Sequence, residues 1–394
     1  MDPLHWVDEQ LESLRQADLC RELPPPLGSA GPTCQVAGHD LINFASNDYL
    51  GLAADTRLVA AAQKSLESSG MGRGASPLIC GRAPEHLALE QQLAQFEQTE
   101  AALLFATGFA ANAGTIPALV DQGDAIYGDA YNHASIIDGC RLSRAEKHIY
   151  PHNDIEALAR LLKQHSSKYR RQLIVTDTLF SMGGDFAPLP QLGELAAAQG
   201  AMLMVDEAHA TGVFGAGGRG VLEHFAADHP ELHQQVQVRV GTLSKALGAA
   251  GGFVCGSQAL IDWLANRARA YVFSTAQPAA TSAAASAALN LVAAQPSTRQ
   301  QLLQTAAQLR QQLQEQGWDI GDSASQIIPL RVGPAEQALR WAGQLREYGC
   351  WVPAIRPPSV PADQSLLRLS VTTAHNRQML AQLVEALAAV RKSD

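Results

Sequence analysis

Apolar residues along this chain follow two rhythms. Near the start, Leu4, Val7, Leu11 and Leu14 recur at three- and four-residue spacing, which predicts one face of a helix closing at Pro24–Gly28. An extended segment, "LINFASNDYLG", comes next. "HLALEQQLAQFEQ" and "QLGELAAAQ" keep the helical period. Between them and after them the rhythm changes. "AALLFA", "QLIVTDT", "AMLMVDEAH", "VQVRVGTLSK" and "GFVCG" are apolar without alternation, as expected of short strands covered on both faces. Strands alternating with helices predict an α/β fold, a large and mostly parallel sheet domain covered by helices. The longest apolar run, "PAATSAAASAALNLVAAQP", is mostly alanine with Ser, Thr and Asn, and predicts a packed core helix rather than a membrane span. After about Pro278 the strand-like "SQIIPLRVG" and "SLLRLSVTTAH" alternate with the helical "AEQALRWAGQLREYG" and "QMLAQLVEALAAV". This is a smaller α+β domain at the C-terminal end. The expected division is residues 1–50 as an N-terminal helix and extended segment, 51–285 as the large domain and 286–394 as the small one.

Composition narrows the function. With 46% hydrophobic and 17% charged residues, 394 residues suffice for a sizeable core. The net charge of −9 argues against nucleic acid or an anionic membrane as partner. The six cysteines lie far apart with no CxxC and no ligand spacing, so reduced thiols are expected, with no disulfide framework and no metal site. The first residues carry acids and lack an apolar secretory core, which points to a cytoplasmic protein.

In open parallel sheets, ligands collect beyond the carboxyl ends of strands. The polar residues directly after the apolar runs are Thr107–Gly108, Asp177, Asp206–His209 and Thr242–Lys245. "VDEAH" resembles a helicase box, but no GxxxxGK[ST] loop accompanies it. "GAGGRG", Gly215–Gly220, matches GxGxxG but lies well past its strand. "LLFATGFAANAG" differs, because an apolar run meets a turn and then a helix, whose first N–H groups favour an anion such as phosphate. Asp206 would be a carboxylate on a cleft floor, in need of a cation. His209 and His133, each a lone histidine, read first as hydrogen-bonded core residues. His148 and His152 read as surface residues. Lys245, the only lysine between Lys168 and Lys392, sits among small apolar residues, with Gly248, Gly251 and Gly252 leaving room nearby. A desolvated lysine is a nucleophilic amine able to form a Schiff base. An amine, a buried carboxylate and a phosphate turn together match pyridoxal 5'-phosphate (PLP).

Beyond these, "FASNDYLGL", "TGFAAN", "NHAS", "FSMGGD", "MVDEAHATGVFGAGGRG", "TLSKALG", "VFSTAQP" and "CWVPAIRPPSVP" run nearly end to end through the chain. On these motifs it resembles the α-oxoamine synthases, PLP-dependent transferases of fold type I, and "AIRPPSVP" resembles their biotin-synthesis branch. The resemblance implies a decarboxylating condensation of L-alanine with a pimeloyl thioester, carried on CoA or acyl carrier protein (pimeloyl-CoA or pimeloyl-ACP). Lys245 would bind the cofactor aldehyde, and Asp206 the ring nitrogen. His209 and Ser181 would face the phenolic oxygen, and the His133 ring would stack on the cofactor. Gly108, Phe109 and Thr242 would hold the phosphate, and Ser274 and Thr275 would reach that of a neighbouring subunit in a homodimer. Arg368 would grip the amino-acid carboxylate. Arg21, Asn47, His133, Arg356 and Pro353 would face substrate; many relatives carry Thr at the last of these, and Pro offers only its carbonyl or packing. An acidic carrier would call for a basic patch, with Arg267 and Arg269 as candidates on what otherwise reads as a solvated helix face. The alternatives are a sister activity such as glycine C-acetyltransferase, a plain aminotransferase or racemase, a nucleic-acid motor and a non-catalytic binding protein.

Overall fold

In a computed structural model, all residues are described except 1, 25–27, 29, 37, 166–167 and 393–394. The chain forms two compact units. One contains residues 1–47, 182–184 and 302–394; the other contains 48–181 and 185–301. The strands, in chain order, are β1 (Thr33–Val36), β2 (His39–Asn43), β3 (Ala101–Phe105), β4 (Ala125–Asp129), β5 (Glu146–Tyr150), β6 (Gln172–Asp177), β7 (Met202–Asp206), β8 (Val238–Thr242), β9 (Gly252–Gly256), β10 (Ile327–Gly333), β11 (Cys350–Trp351), β12 (Ala354–Ile355) and β13 (Ser365–Ser370).

The larger unit is built on a seven-stranded sheet of order β3-β9-β8-β7-β6-β4-β5. Pairing is parallel from β5 through β4, β6 and β7 to β8, and β9 runs antiparallel to both its neighbours. The direction of β9 follows from its connection, since Leu243–Gly251 is too short for the crossover that a parallel pair demands. β4, β6, β8 and β9 are buried at every position, as expected of strands covered on both faces, although β8 carries the buried Arg239. The alanine-rich stretch forms the helix Ala279–Ala294, whose Ala280, Ser282, Ala285, Ala288 and Leu289 are buried. It packs on the helices Thr56–Ser69 and Pro84–Glu97, and its small side chains allow close approach.

The smaller unit carries two three-stranded sheets, β1-β2-β11 and β10-β13-β12. Here the boundaries differ from those expected. β2 pairs with β11 in the register Ile42↔Cys350, so the N-terminal segment joins the C-terminal part through backbone hydrogen bonds. The helix Ala279–Ala294 stays with the large sheet, and the division falls within the next helix, Pro296–Glu315, at residue 301.

The first helix spans His5–Gln16, ending well before the expected stop at Pro24–Gly28, part of which lies outside the described residues. The left-handed Asp18 (φ 55°) turns the chain just beyond it. The helix buries none of its residues, and Leu4, Leu11 and Leu14 are exposed, so the apolar face is not covered by the described residues. Among the described residues no helix is long and apolar enough to cross a membrane.

Candidate active site

The carboxyl ends of β6, β7 and β8 bring the ionisable residues of the larger unit together. Asp177 and Asp206 close their strands side by side, paired in the β6–β7 register. Both are buried. Asp206 is held by two neutral donors, with Asn112 Nδ2 at 2.6 Å and the Ala208 N–H at 2.7 Å. Asn112 stands on the buried side of the helix Gly108–Leu119 and also donates to Ser135 Oγ at 2.9 Å. Asp177 accepts the His133 N–H at 2.7 Å. Burial and the charge of Asp206 push the Asp177 carboxyl well above the usual carboxylate range.

Lys245 follows β8 and is half-buried rather than enclosed, although Leu243, Ala246 and Leu247 beside it are buried. Its Nζ lies 2.8 Å from His209 Nε2, and His209 Nδ1 lies 2.7 Å from the hydroxyl of Tyr49. The order Tyr49–His209–Lys245 forms a chain along which a proton can move. His133 caps the helix Ala134–Leu142, with its Nδ1 3.2 Å from the Ser135 N–H and 2.7 Å from Ser135 Oγ. Burial, opposed by Asp206 and supported by Lys245, lowers the His133 pKa and favours a neutral ring.

The expected phosphate turn follows β3. Thr107 caps the helix Gly108–Leu119, accepting the Ala110 N–H at 3.0 Å and leaving the N–H groups of Gly108 and Phe109 at the open helix end. The turn touches two other strands closely. A Cβ on Gly108 would meet Thr242 Cβ at 3.3 Å, and one on Gly252 would meet Gly108 N at 2.5 Å. Thr242 Oγ1 donates to Gly251 O at 2.9 Å and lies 2.9 Å from Ser244 Oγ. Ser181 sits in the turn closed by the Phe180 N–H to Asp185 O bond of 3.0 Å. Ser274 and Thr275 lie on the loop after the helix Arg269–Val272, anchored by the Ala276 N–H to Ala75 O at 3.0 Å and by His86 Nε2 to Gln277 O at 3.0 Å.

Apart from His133, which lies in the larger unit, the substrate-side candidates fall in the smaller unit. Arg368, buried on β13, donates to Asn47 Oδ1 at 3.1 Å and Ser370 Oγ at 2.9 Å. Arg356 donates to the carbonyls of Asp18 and Cys20, and Arg21 to Pro357 O at 3.2 Å. The Pro353 carbonyl accepts the Arg368 N–H at 3.1 Å, so this proline supports the strand that carries Arg368. Arg267 and Arg269 each lie over an aromatic ring, of Trp263 at 5.5 Å and Phe273 at 4.8 Å.

Sequence reading overlooked Asn112, Ser135, Tyr49 and Ser244. The one available signal was Asn112, the single amide in the otherwise small and apolar "GFAANAG". His148 and His152, expected at the surface, are half-buried. His148 packs at a tilt against His165 at 4.3 Å and meets the Tyr169 hydroxyl at 2.9 Å, while His152 lies between two aspartates. Gly215–Gly220 folds around a side chain, since Glu223 accepts the N–H groups of Gly217 and Arg219. Among the described residues, no group of three or more His, Cys, Asp or Glu could hold a metal ion.

A mostly parallel sheet presenting an amine, paired carboxylates and a helix N-terminus at its strand ends defines a class, and the comparisons agree. The chain belongs to the class I and II aminotransferase family, whose model matches residues 39–387. It superposes on serine palmitoyltransferase from S. paucimobilis, solved with PLP and myriocin bound, with a TM-score of 0.93 at 30% identity, covering 100% of this chain and 99% of that one. Within the family its near relatives are 8-amino-7-oxononanoate synthases. It is 48% identical to that of Anaeromyxobacter dehalogenans over 98% of this chain and 96% of the relative, and 46% identical to that of Geobacter sulfurreducens over 97% of each. PLP is the cofactor. The residues present fit it. Asp206, pressed against Asp177 and bonded only to neutral donors in the contacts above, suits a protonated ring nitrogen; the Gly108–Gly252 approach leaves helix N–H groups open to a phosphate; and Lys245 offers the amine.

Proposed function

We propose that the chain catalyses the decarboxylating condensation of L-alanine with a pimeloyl thioester to 8-amino-7-oxononanoate, releasing CO2 and a thiol. The observation that carries this reading is the Lys245–His209 contact of 2.8 Å beside the Asp206 carboxylate, in a chain nearly half identical to enzymes of that name. When bound, PLP supplies an aldehyde that captures amines and a ring that draws electrons from the substrate α-carbon.

The chain's own residues do the rest. Asp206, fixed by Asn112 and Ala208, holds the proton on the ring nitrogen. His133, kept neutral by burial, would stand beside the ring. Gly108 and Phe109 N–H groups and Thr242 hold the phosphate. Lys245 Nζ takes the proton from the alanine α-carbon, with His209 and Tyr49 behind it to accept or return charge. The α-carbon then attacks the thioester carbonyl. A C–C bond forms, the C–S bond breaks and the thiol leaves. The former alanine carboxylate departs as CO2, and a proton returns to the same carbon. Arg368, buried and pre-oriented by Asn47 and Ser370, supplies the carboxylate contact, and Arg21 and Arg356 face the acyl chain. A homodimer, with Ser274 and Thr275 reaching the partner's phosphate, and a cytoplasmic location complete the proposal.

The test compares thiol release from pimeloyl-CoA and acetyl-CoA, with alanine and with glycine, alongside CO2 release. Preference for pimeloyl-CoA with alanine, one CO2 per thiol, is expected. Faster turnover of acetyl-CoA with glycine would instead make the chain a glycine acyltransferase.

A further inference from the structure

His152 has no part in the roles above, yet it lies between two aspartates, Asp129 and Asp185. We propose that His152 is a positioning residue whose imidazolium ties the turn bearing His133 to the turn bearing Ser181. The proposal rests on the cofactor contacts assigned to those two residues.

The geometry demands a charged ring. Nδ1 lies 2.9 Å from Asp129 Oδ1 and Nε2 lies 2.8 Å from Asp185 Oδ2. Ionised carboxylates only accept, so both ring nitrogens must carry a hydrogen. Each carboxylate in turn commands a segment of backbone. Asp129, at the end of β4, accepts the Tyr131 N–H at 2.8 Å on one oxygen and the Asn153 N–H at 2.8 Å on the other. Its carbonyl accepts the Asn132 N–H at 3.2 Å, and the next residue is His133. The far side of that turn is fixed by the His133 N–H on Asp177. Asp185 closes the turn containing Ser181, and Asn153 Nδ2 reaches both Asp185 Oδ2 and Phe186 O at 3.1 Å. Rings complete the seat. Tyr131 stacks on His152 at 4.4 Å, and Phe180 meets it edge-on at 4.4 Å. One cation therefore sets the spacing of two turns that reach the same cofactor.

The charged and titratable groups around the ring are Asp129, Asp185 and Tyr131. Burial alone would lower the His152 pKa, but hydrogen bonds to the two aspartates and their charges push it up to about 9. The sign follows. The link is complete below the usual histidine pKa of about 6.5 and is lost as pH rises through about 9.

The experiment uses the PLP-loaded enzyme and the variants His152→Gln, His152→Lys and Asp185→Asn, each checked for folding by circular dichroism. His152→Gln is expected to lose about tenfold in kcat/KM at pH 7.5, to shift the absorption band of the bound cofactor, and to lack any alkaline fall centred near pH 9. His152→Lys is expected to restore most of the activity and to move the alkaline fall upward. Should His152→Gln not fold, Asp185→Asn, which removes one link only, is expected to shift the same band and lower the same rate. A folded variant with wild-type kcat/KM, band and alkaline midpoint overturns the proposal. Absence of the band and of alanine turnover in the wild type overturns the reading of the previous subsection instead.

Discussion

Gly252 offers a steric test of the phosphate turn. An ideal Cβ there would lie 2.5 Å from Gly108 N, 2.5 Å from Thr107 O and 2.6 Å from Gly108 Cα, whereas ordinary contact begins at 3.4 Å. Gly252→Ala must therefore move the turn by about 0.9 Å, the difference between 3.4 and 2.5 Å. All three obstacles are backbone, so no side-chain rotation relieves the overlap. Overpacking of this kind costs about 1–3 kcal/mol. Lost from phosphate binding, the same energy raises the cofactor Kd by roughly 5- to 150-fold. The assay is absorbance titration of the apoenzyme with PLP, beside a thermal melt. Gly343→Ala is the control. It lies in the helix Ala335–Glu347 with nothing within 4 Å of a new Cβ, so it should stabilise by about 0.4–1 kcal/mol and leave the cofactor Kd unchanged. A Gly252→Ala enzyme that folds and binds PLP like wild type would refute the assignment of this turn.

Two further outcomes are expected. Asp206→Asn keeps the size and the neutral neighbours but removes the counter-charge, worth about 4 kcal/mol at close range and an effective dielectric near 20; turnover should fall about a thousandfold with the fold intact, and a loss under tenfold would contradict the role given to Asp206. Glu97 is buried, and burial pushes its carboxyl up to about 8 against the pull of Arg239. Its protonated form is the one the folded state favours, so this stabilisation is full below the ordinary Glu value and disappears as pH rises through about 8. Wild type should therefore melt lower at pH 8.5 than at pH 6, and Glu97→Gln should flatten that difference; a Glu97→Gln melt with the full wild-type slope would exclude Glu97 as its source.

Much of the candidate site was legible because parallel sheets place polar groups at strand ends. Asp177 and Asp206 each end a mostly apolar strand and Lys245 follows a buried one, so their order in sequence predicts their meeting in space. Thr107 and Gly108 were legible for the same reason. What escaped was lateral. Asn112 bonds Asp206 across 94 residues, marked only as the one amide in an apolar stretch, and Tyr49 reaches His209 across 160 with no local pattern to announce it. His152 looked like a surface residue because its acids lie 23 and 33 residues away, on a neighbouring strand and a turn. The pairing of β2 with β11 joins segments some three hundred residues apart, so no reading of consecutive composition could draw that boundary. The direction of β9, in contrast, was already set by the nine residues between its bounds and those of β8.

The central claim is that Lys245 carries the cofactor. Borohydride reduction of the PLP-loaded enzyme, followed by proteolysis and mass measurement of the peptides, reads this directly. The account predicts the reduced cofactor mass on the peptide containing Lys245 and its loss in Lys245→Ala together with turnover. Label on another lysine, or an active enzyme with no label at all, would contradict it.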